Sequence, residues 1–218
     1  MNDALTLYSY WRSSAAYRVR IGLNIKGLDY RIQPVHLVRD GGEQRAESYR
    51  ALNPQQLVPT LLHGERRIIQ SMAILEYLDE CWPKPALLPA DARGRARVRA
   101  LSQLVACDIH PLNNLRVLQY LKRELGAEQS ATDEWTRHWM REGFSAMQAM
   151  LTDSTETGTF CHGESPTMAD CCLIPQLYNA RRFELDLAPY PELTRIETNA
   201  LALPAFDRAR PENQPDAA

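Results

Sequence analysis

A proline-rich segment near residue 83 divides the chain into two parts with different sequence patterns. Three prolines follow Trp82 within a few residues, at positions 83, 85 and 89. Prolines at this density fit neither the interior of a helix nor a central strand, so we expect a linker at 83–90. The sequence therefore predicts one domain over 1–82 and a second over 91–218.

The first part alternates between strand patterns and helix patterns. Helical spacing predicts one helix that ends at Gly27, a second over 43–52 and a third over 71–81. Strands joined by a helix tend to be parallel, whereas strands joined by a short turn, such as that at Gly64, are antiparallel. We therefore expect an α/β domain of order β-α-β-α-β-β-α. Its predicted strands are Leu5-Thr6-Leu7-Tyr8, Tyr30-Arg31-Ile32, Thr60-Leu61-Leu62 and Arg67-Ile68-Ile69.

The second part contains only helical patterns. Beyond Asp91 the apolar residues recur at helical spacing, so the second domain is expected to be all-α. Pro111 falls inside one of these patterns, and a proline there removes an N–H donor, so we expect a kink in that helix. Thr167 and Asp170 have the spacing of a capping box and predict the start of another helix.

The composition is that of a compact globular protein. Apolar residues make up 44% and charged residues 24% of the 218 residues, so the chain can bury a core. The 25 Lys and Arg residues against 27 Asp and Glu residues give a formal net charge of −2, which provides no net attraction for nucleic acid or for an anionic membrane. We therefore expect neither of these as a partner.

The sequence also bears on the cellular compartment. No stretch approaches the roughly 18 apolar residues that cross a bilayer, and the first basic residue, Arg12, follows an acidic one, the wrong order for a signal peptide. The five cysteines are an odd number without C-x-x-C spacing, so we expect free thiols rather than disulfides or a metal site. A cytoplasmic protein is expected.

Three turns of the first domain carry polar groups that could bind a ligand. Ser13-Ser14 and Gln70-Ser71 each begin a helix after a strand, where free N–H groups can hold an anion. Taken alone, serine in such places is more often an ordinary helix cap. Val58-Pro59 opens a strand, and an X-Pro bond by itself is more often trans than cis. Each turn alone leaves both interpretations open.

Several motifs occur in a fixed order through both parts of the chain. With these motifs the chain resembles the zeta class of glutathione S-transferases, the maleylacetoacetate isomerase family. The resemblance implies a thioredoxin-like first domain and an all-helical second one. The motifs are Tyr8-Ser9-Tyr10-Trp11-Arg12-Ser13-Ser14 with Arg18-Val19-Arg20-Ile21, Ala51-Leu52-Asn53-Pro54, Val58-Pro59-Thr60-Leu61, Gln70-Ser71, Thr167-Met168-Ala169-Asp170, and Arg182-Phe183 before Asp186-Leu187.

The chain departs from the family at one place in these motifs. The family commonly has Ser-Ser-Cys at the start of the first helix, whereas this chain has Ser13-Ser14-Ala15. No thiol is available there, so mixed-disulfide chemistry is not expected. Chemistry in which a serine assists the glutathione thiolate is unaffected.

The resemblance implies a glutathione site in the first domain. Ser13 would be the hydroxyl nearest the glutathione sulfur, with Ser14 beside it. Since only one of two adjacent hydroxyls can point at the sulfur, the other would cap the helix. Further glutathione contacts are implied for Val58 (backbone, to the cysteinyl part), Pro59 (cis), Gln70 and Ser71 (γ-glutamyl end) and Gln44 (glycyl end).

The resemblance also implies residues outside these turns. The segment Asp108-Ile109-His110-Pro111-Leu112-Asn113-Asn114-Leu115-Arg116 is closest to the maleylpyruvate isomerases of the family, in which the positions of His110 and Asn114 lie near glutathione. Arg12, Arg116 and Arg182 match basic positions around the substrate carboxylates. Arg181, next to Arg182, is the alternative for the last of these.

The function implied is a glutathione-dependent cis–trans isomerisation of maleylacetoacetate or maleylpyruvate in the breakdown of aromatic compounds. Arg12 is the candidate that stabilises the charge developing on the keto oxygen. Two alternatives stay open: a general glutathione transferase acting on electrophiles or α-halo acids, and a non-catalytic interaction module with the same fold. A homodimer is implied by the family alone, and no metal is expected.

Overall fold

The computed structural model describes residues 4–217, which fold into two compact units. The first comprises the residues up to Leu87 together with those from Leu201 onward, and the second comprises Leu88–Ala200. The predicted linker at 83–90 falls at the division near Leu87. The segment after Leu201, which the sequence placed with the helical domain, groups instead with the first unit.

The first unit contains a four-stranded mixed sheet. Strand β1 pairs in parallel with β2, with Leu5 opposite Tyr30, and β3 is antiparallel to both β1 and β4. The strand order is β2-β1-β3-β4. The predicted parallel pairing of β1 with β2 and the antiparallel pairing of β3 with β4 are confirmed. The expectation that strands joined by a helix are parallel is wrong for β2 and β3, because β3 pairs antiparallel to β1 and so runs opposite to β2. The strands are β1 (Leu5–Ser9), β2 (Tyr30–Pro34), β3 (Thr60–His63) and β4 (Arg66–Ile69).

Helices of the first unit pack on this sheet. Buried apolar residues from β1, β3 and two helices form one core, to which Leu7, Val19, Leu61 and Ile74 belong. The predicted helix over 43–52 is interrupted at Ala46, whose backbone is extended, so that two short helices replace one. The α-helices are α1 (Ser14–Ile25), α2 (Glu47–Leu52), α3 (Ser71–Cys81) and later α9 (Pro204–Asp207), and 3-10 helices lie at Arg39–Gly41, Glu43–Arg45 and Pro211–Asn213.

Specific hydrogen bonds attach the C-terminal segment to α1. The fully buried guanidinium of Arg20 donates through Nε to the carbonyl of Ala209 at 3.0 Å. The Asn24 amide donates to the carbonyl of Ala205 at 2.9 Å. Because these partners are about 180 to 190 residues apart in sequence, local patterns contain no signal for them.

The second unit is helical, as the sequence predicts, with one difference around Pro111. A π-helix at Leu104–Ile109 continues the preceding α-helix, and the His110 amide donates to the Val105 carbonyl five residues earlier, at 2.9 Å. The helix ends there, and a turn of four residues precedes the next helix. The prediction of a kink inside one helix is therefore wrong, because Pro111 follows the helix end. The helices are α4 (Ala92–Gln103), α5 (Leu115–Glu124), α6 (Gln129–Thr152), α7 (Met168–Arg182) and α8 (Pro191–Leu201).

The predicted capping box begins α7 and is buried. One carboxylate oxygen of Asp170 accepts from the Thr167 amide at 2.7 Å, and the other accepts from the Cys161 amide at 2.9 Å. Burial raises the pKa of the Asp170 carboxyl, although these donors act in the opposite direction. The box therefore joins the start of α7 to the loop before it.

Candidate active site

The sheet register places the three candidate turns of the first unit at one edge of the sheet. The segment after β1 and the segment before β3 meet there because Tyr8 lies opposite Thr60. Thr60 in turn lies opposite Ile69, so Gln70 and Ser71 begin α3 at the same edge. The sheet therefore gathers Ser13-Ser14, Val58-Pro59 and Gln70-Ser71, as one ligand site requires.

Ser13 caps α1. Its Oγ accepts a hydrogen bond from the Ala16 amide at 3.2 Å, and Ser14, which is largely buried, is the first helical residue. The expectation that Ser14 caps the helix is wrong, because the backbone of Ser13 is extended and that of Ser14 is already helical. A hydroxyl that accepts in this way still has its own proton to donate. Ser13 therefore keeps a donor at the helix N-terminus.

Buried arginine holds the turn that carries Ser13. The Arg20 guanidinium donates to the Ser9 hydroxyl at 3.2 Å and to the Trp11 carbonyl at 3.0 Å, on either side of Tyr10. Arg12 is exposed, with its guanidinium 4.7 Å from the centre of the Trp11 ring. The buried Arg20 therefore fixes the backbone of this turn, whereas the side chain of Arg12 in the same turn is exposed to solvent.

Two polar side chains hold the Val58-Pro59 segment. The Tyr49 hydroxyl and the Asn53 amide both donate to the Leu57 carbonyl, at 2.7 and 2.8 Å. Burial raises the pKa of Tyr49, so this hydroxyl stays a donor. The Val58–Pro59 peptide bond is cis, as the family resemblance implies and contrary to the statistical preference for trans.

The turn at Gln70-Ser71 is strained and rests on a buried cation. Gln70 has a φ of 71°, a left-handed conformation that is uncommon outside glycine and clusters at functional sites. Its side-chain amide donates to Gln55 at 2.8 Å. The buried Arg18 donates to the Ser71 hydroxyl at 3.3 Å. Positive charge and the N-terminus of α3 therefore meet at Ser71.

Gln44 lies in a 3-10 helix of the first unit and is buried. Its Nε2 donates to the Leu37 carbonyl at 3.2 Å, whereas its Oε1 has no hydrogen-bond partner among residues 4–217. A buried acceptor without a partner is costly unless a ligand or water supplies a donor. Gln44 is therefore suited to accept from an amide N–H of a ligand.

In the second unit, one turn carries most of the predicted residues. His110 follows the π-helix as its C-terminal cap, and Asn114 caps α5 by accepting from the Arg116 amide at 3.1 Å. This bond uses the Asn114 oxygen and leaves its NH₂ group as a donor. Arg116 is exposed in the first turn of α5.

The structure distinguishes the two adjacent arginines at the end of α7. Arg181 forms an ion pair with Glu197, whose side chain is only 8% exposed. Arg182 donates to Asn179 at 3.1 Å, and its guanidinium lies 5.5 Å from the centre of the Phe183 ring. Since the ion pair gives Arg181 a structural role, Arg182 is the better candidate for binding a substrate.

Comparisons with known proteins agree with this geometry. The sequence profile of the glutathione S-transferase N-terminal domain matches residues 3–80. A probable maleylacetoacetate isomerase of Vibrio cholerae is 50% identical over 98% of this chain and 99% of its own length. A solved maleylpyruvate isomerase, described as a bacterial glutathione S-transferase of the zeta class, is 48% identical over 98% of this chain and 100% of its own, with a TM-score of 0.95. This chain belongs to the zeta class of glutathione S-transferases.

A further zeta-class neighbour was solved with ligands. A maleylacetoacetate isomerase of Methylobacterium extorquens with bound malonate and glutathione is 41% identical over 98% of this chain and 99% of its own, with a TM-score of 0.94. The ligands named for that protein are glutathione and a dicarboxylate.

Sequence reasoning missed the residues that hold the site from behind. Arg18, Arg20 and Asn53 belong to the motifs of the zeta-class resemblance, but no local pattern indicated a role for them. Arg18 and Arg20 bond to residues distant in sequence, and Asn53 bonds to Thr60, seven residues away. Tyr49 stood only inside a predicted helix. An unusual signal was available for the arginines, since two cations within one turn of a mostly apolar helix are rare in a core.

Proposed function

We propose that this protein is a glutathione-dependent cis–trans isomerase of maleyl keto acids, either maleylacetoacetate or maleylpyruvate. The observation that carries the proposal is the 48% identity, over almost the whole chain, with a zeta-class maleylpyruvate isomerase. The edge of the sheet that bears Ser13, Val58 and Ser71 supports it, as do the exposed arginines.

The first unit fits glutathione. Each end of that tripeptide carries a carboxylate, and the N-terminus of α3 with Ser71 and Arg18 provides a place for the γ-glutamyl end. The buried Oε1 of Gln44 matches a peptide N–H donor. Val58 offers its backbone next to β3 for the cysteinyl part, and Gln70 lies beside the γ-glutamyl end. His110 and Asn114 are proposed as further glutathione contacts.

The site must favour a thiolate. A free thiol with a pKa of about 8.5 is only a few per cent ionised at neutral pH. Lowering that pKa by two units requires about 2.7 kcal/mol. One hydrogen bond to a charged group contributes about 1.5–3 kcal/mol and a helix N-terminus about 0.3–2 kcal/mol. The Ser13 hydroxyl and the start of α1 can therefore suffice, with Ser14 beside them.

When bound, glutathione supplies a thiolate that adds to the cis double bond, allows rotation about the resulting single bond and then leaves. The chain's own residues orient the substrate and stabilise charge. Arg12 is placed to stabilise the negative charge that develops on the keto oxygen, which lowers the barrier more than uniform binding does. Arg116 and Arg182 bind the carboxylates, because two parallel N–H donors of a guanidinium, its fork, match the two oxygens of a carboxylate.

The setting of the enzyme is part of the proposal. The five cysteines are free thiols, which fits a reducing cytoplasm that contains glutathione. Within residues 4–217 we find no helix with the length and apolar character needed to cross a bilayer. A homodimer remains the expected assembly, and sedimentation of the purified protein tests it.

An absorbance assay tests the function. We expect the protein to consume maleylpyruvate or maleylacetoacetate only when glutathione is added. Arg116→Lys and Arg182→Lys keep the charge but lose the fork, so each should raise the substrate KM by about tenfold, the equivalent of about 1.4 kcal/mol of lost binding. Turnover of a neutral electrophile should be unchanged in both.

Arg181→Lys is the matched control, since a lysine can keep the ion pair with Glu197. A KM effect in Arg181→Lys but not in Arg182→Lys would move the role to the neighbouring residue. Activity on electrophiles or α-halo acids without any on maleyl acids would indicate a general transferase. Failure to bind glutathione would indicate a non-catalytic module.

A further inference from the structure

One turn of α6 contacts the segment between His110 and Asn114. The indole Nε1 of Trp135 donates to the Leu112 carbonyl at 2.9 Å. The side-chain amide of Asn113 donates to the carbonyl of Thr136 at 3.3 Å. These two hydrogen bonds join two consecutive residues of the turn to two consecutive residues of α6. Together they fix the position of the turn along α6 and its orientation about the helix axis.

The next residue of the same helix contacts the end of α7. Arg137 donates through Nη1 to the Phe183 carbonyl at 3.3 Å. The Phe183 ring lies against the guanidinium of Arg182. Glu134 accepts from Arg137 Nε at 3.1 Å and so orients the side chain. The residues 135–137 of α6 therefore touch both segments that carry the proposed substrate arginines of this unit.

A third contact of α6 fixes the π-helix. Gly143 lies against Ile109, the last residue of the π-helix, so closely that a Cβ at this position would overlap the Ile109 side chain. Ile109 is fully buried. The segment from Ile109 to Asn113 is therefore held along one side by α6, and close-packed interiors transmit small displacements rather than absorb them.

We propose that Trp135 and Arg137 are positioning residues that hold the segments carrying Arg116 and Arg182, and thereby place these two arginines to bind the carboxylates of the substrate. The inference rests on the proposed function, in which these two arginines bind the carboxylates. Neither positioning residue needs to touch the substrate. Trp135 acts through the Leu112 carbonyl, which precedes the cap of α5, and Arg137 acts through Phe183.

The chain offers matched controls for both residues. Trp139 lies one turn further along α6, 5.7 Å from the Trp135 ring between centroids, and its buried Nε1 has no hydrogen-bond partner among the described residues. Replacing either tryptophan with phenylalanine therefore removes the same atoms, but only Trp135→Phe breaks a bond to the turn. Arg141 also pairs with Glu134, as Arg137 does, so Arg141→Gln is the control for Arg137→Gln.

The test measures kcat and KM for maleylpyruvate and the turnover of a neutral electrophile. In Trp135→Phe and Arg137→Gln we expect KM to rise by about threefold to tenfold with little change in kcat, because carboxylate binding remote from the reacting carbon is lost. Trp139→Phe and Arg141→Gln should leave KM unchanged, as should electrophile turnover in all four variants. Arg137→Lys keeps a donor for the Phe183 carbonyl and should restore most of the loss.

The outcomes separate this inference from the proposed function. If the unaltered enzyme is active and a variant has the same KM as its control, the positioning role of that residue is wrong. The two comparisons are Trp135→Phe with Trp139→Phe and Arg137→Gln with Arg141→Gln. The same conclusion follows if kcat for both substrates and the melting temperature fall together, since that indicates a purely structural effect. If the unaltered enzyme does not isomerise maleyl acids, the proposed function fails and the inference fails with it.

Discussion

Ser13 has two hydrogen-bonding tasks that a single substitution can separate. Its Oγ accepts from the Ala16 amide as the cap of α1, while its proton is left to donate, in the proposed function to the glutathione thiolate. Alanine would remove both, whereas glycine is nearly as good a cap and costs only a few tenths of a kcal/mol. We expect Ser13→Gly to melt close to the unaltered enzyme and to turn over about tenfold to a hundredfold more slowly, the equivalent of one hydrogen bond to a charged group.

Ser14→Ala is the companion measurement. Ser14 is the first helical residue, so its loss should affect turnover much less than the loss of Ser13. The pH dependence of turnover provides the decisive comparison. Ser13→Gly should shift to higher pH the range in which turnover rises as the glutathione thiol ionises, and Ser14→Ala should not. Equal effects from the two changes would remove Ser13 from its assigned role.

At the scale of single elements, α7 depends on its buried capping box. Asp170→Ala removes the cap and leaves the buried Cys161 amide without its acceptor, so we expect a loss of about 2–5 kcal/mol in the free energy of unfolding. Urea denaturation measures this. Asp91, the exposed cap of α4, accepts from the Gly94 amide, and Asp91→Ala should cost much less.

The same carboxyl also makes stability depend on pH. Because burial raises the folded-state pKa of Asp170 above its ordinary value of 3.8, the folded protein binds the proton more tightly than the unfolded chain. The favourable contribution of the Asp170 carboxyl to the free energy of unfolding is complete below pH 3.8. It is lost as the pH rises through the raised pKa of the folded state. Asp170→Asn should abolish this component, and an unchanged pH profile would contradict it.

Sequence patterns defined some elements of this fold well and others poorly. Helix α3 and the start of α7 carry their own signals, a serine or a capping box followed by helical spacing, and both are observed where predicted. The π-helix before His110 has no local signal, because its register depends on the contact of Ile109 with Gly143, a residue of another helix. For the same reason, the sequence did not show that the helix ends before Pro111.

The residues of the candidate site likewise divide into those that the sequence could indicate and those that it could not. Residues that begin helices or strands, such as Ser13 and Ser71, stood out in the sequence, and the family resemblance supplied their roles. Arg20 and Trp135 bond to backbone carbonyls of distant segments, at Ala209 and Leu112. A carbonyl belongs to every residue, so no side-chain pattern in the sequence could have indicated these partners.

At the scale of the whole molecule, the chain returns at its end to the unit in which it began. Phe206 is fully buried, and the Ala209 carbonyl accepts from the buried Arg20, which also holds the Ser13 turn. The Trp11 amide on that turn donates to Asp216 at 3.0 Å. The first unit is therefore completed by the segment from Leu201 to Asp216.

A variant that ends at Leu201 tests this dependence. It loses the Ala209 acceptor for a buried cation and the Phe206 side chain, each worth about 1.5–3 kcal/mol, a large part of the roughly 5–15 kcal/mol that stabilises a domain. We expect hydrogen–deuterium exchange to show that amides of β1 and α1 lose protection while those of α4 and α7 retain it. A variant lacking only the last two residues should exchange like the full chain. Full protection of β1 in the variant ending at Leu201 would show that the first unit holds together without its C-terminal segment.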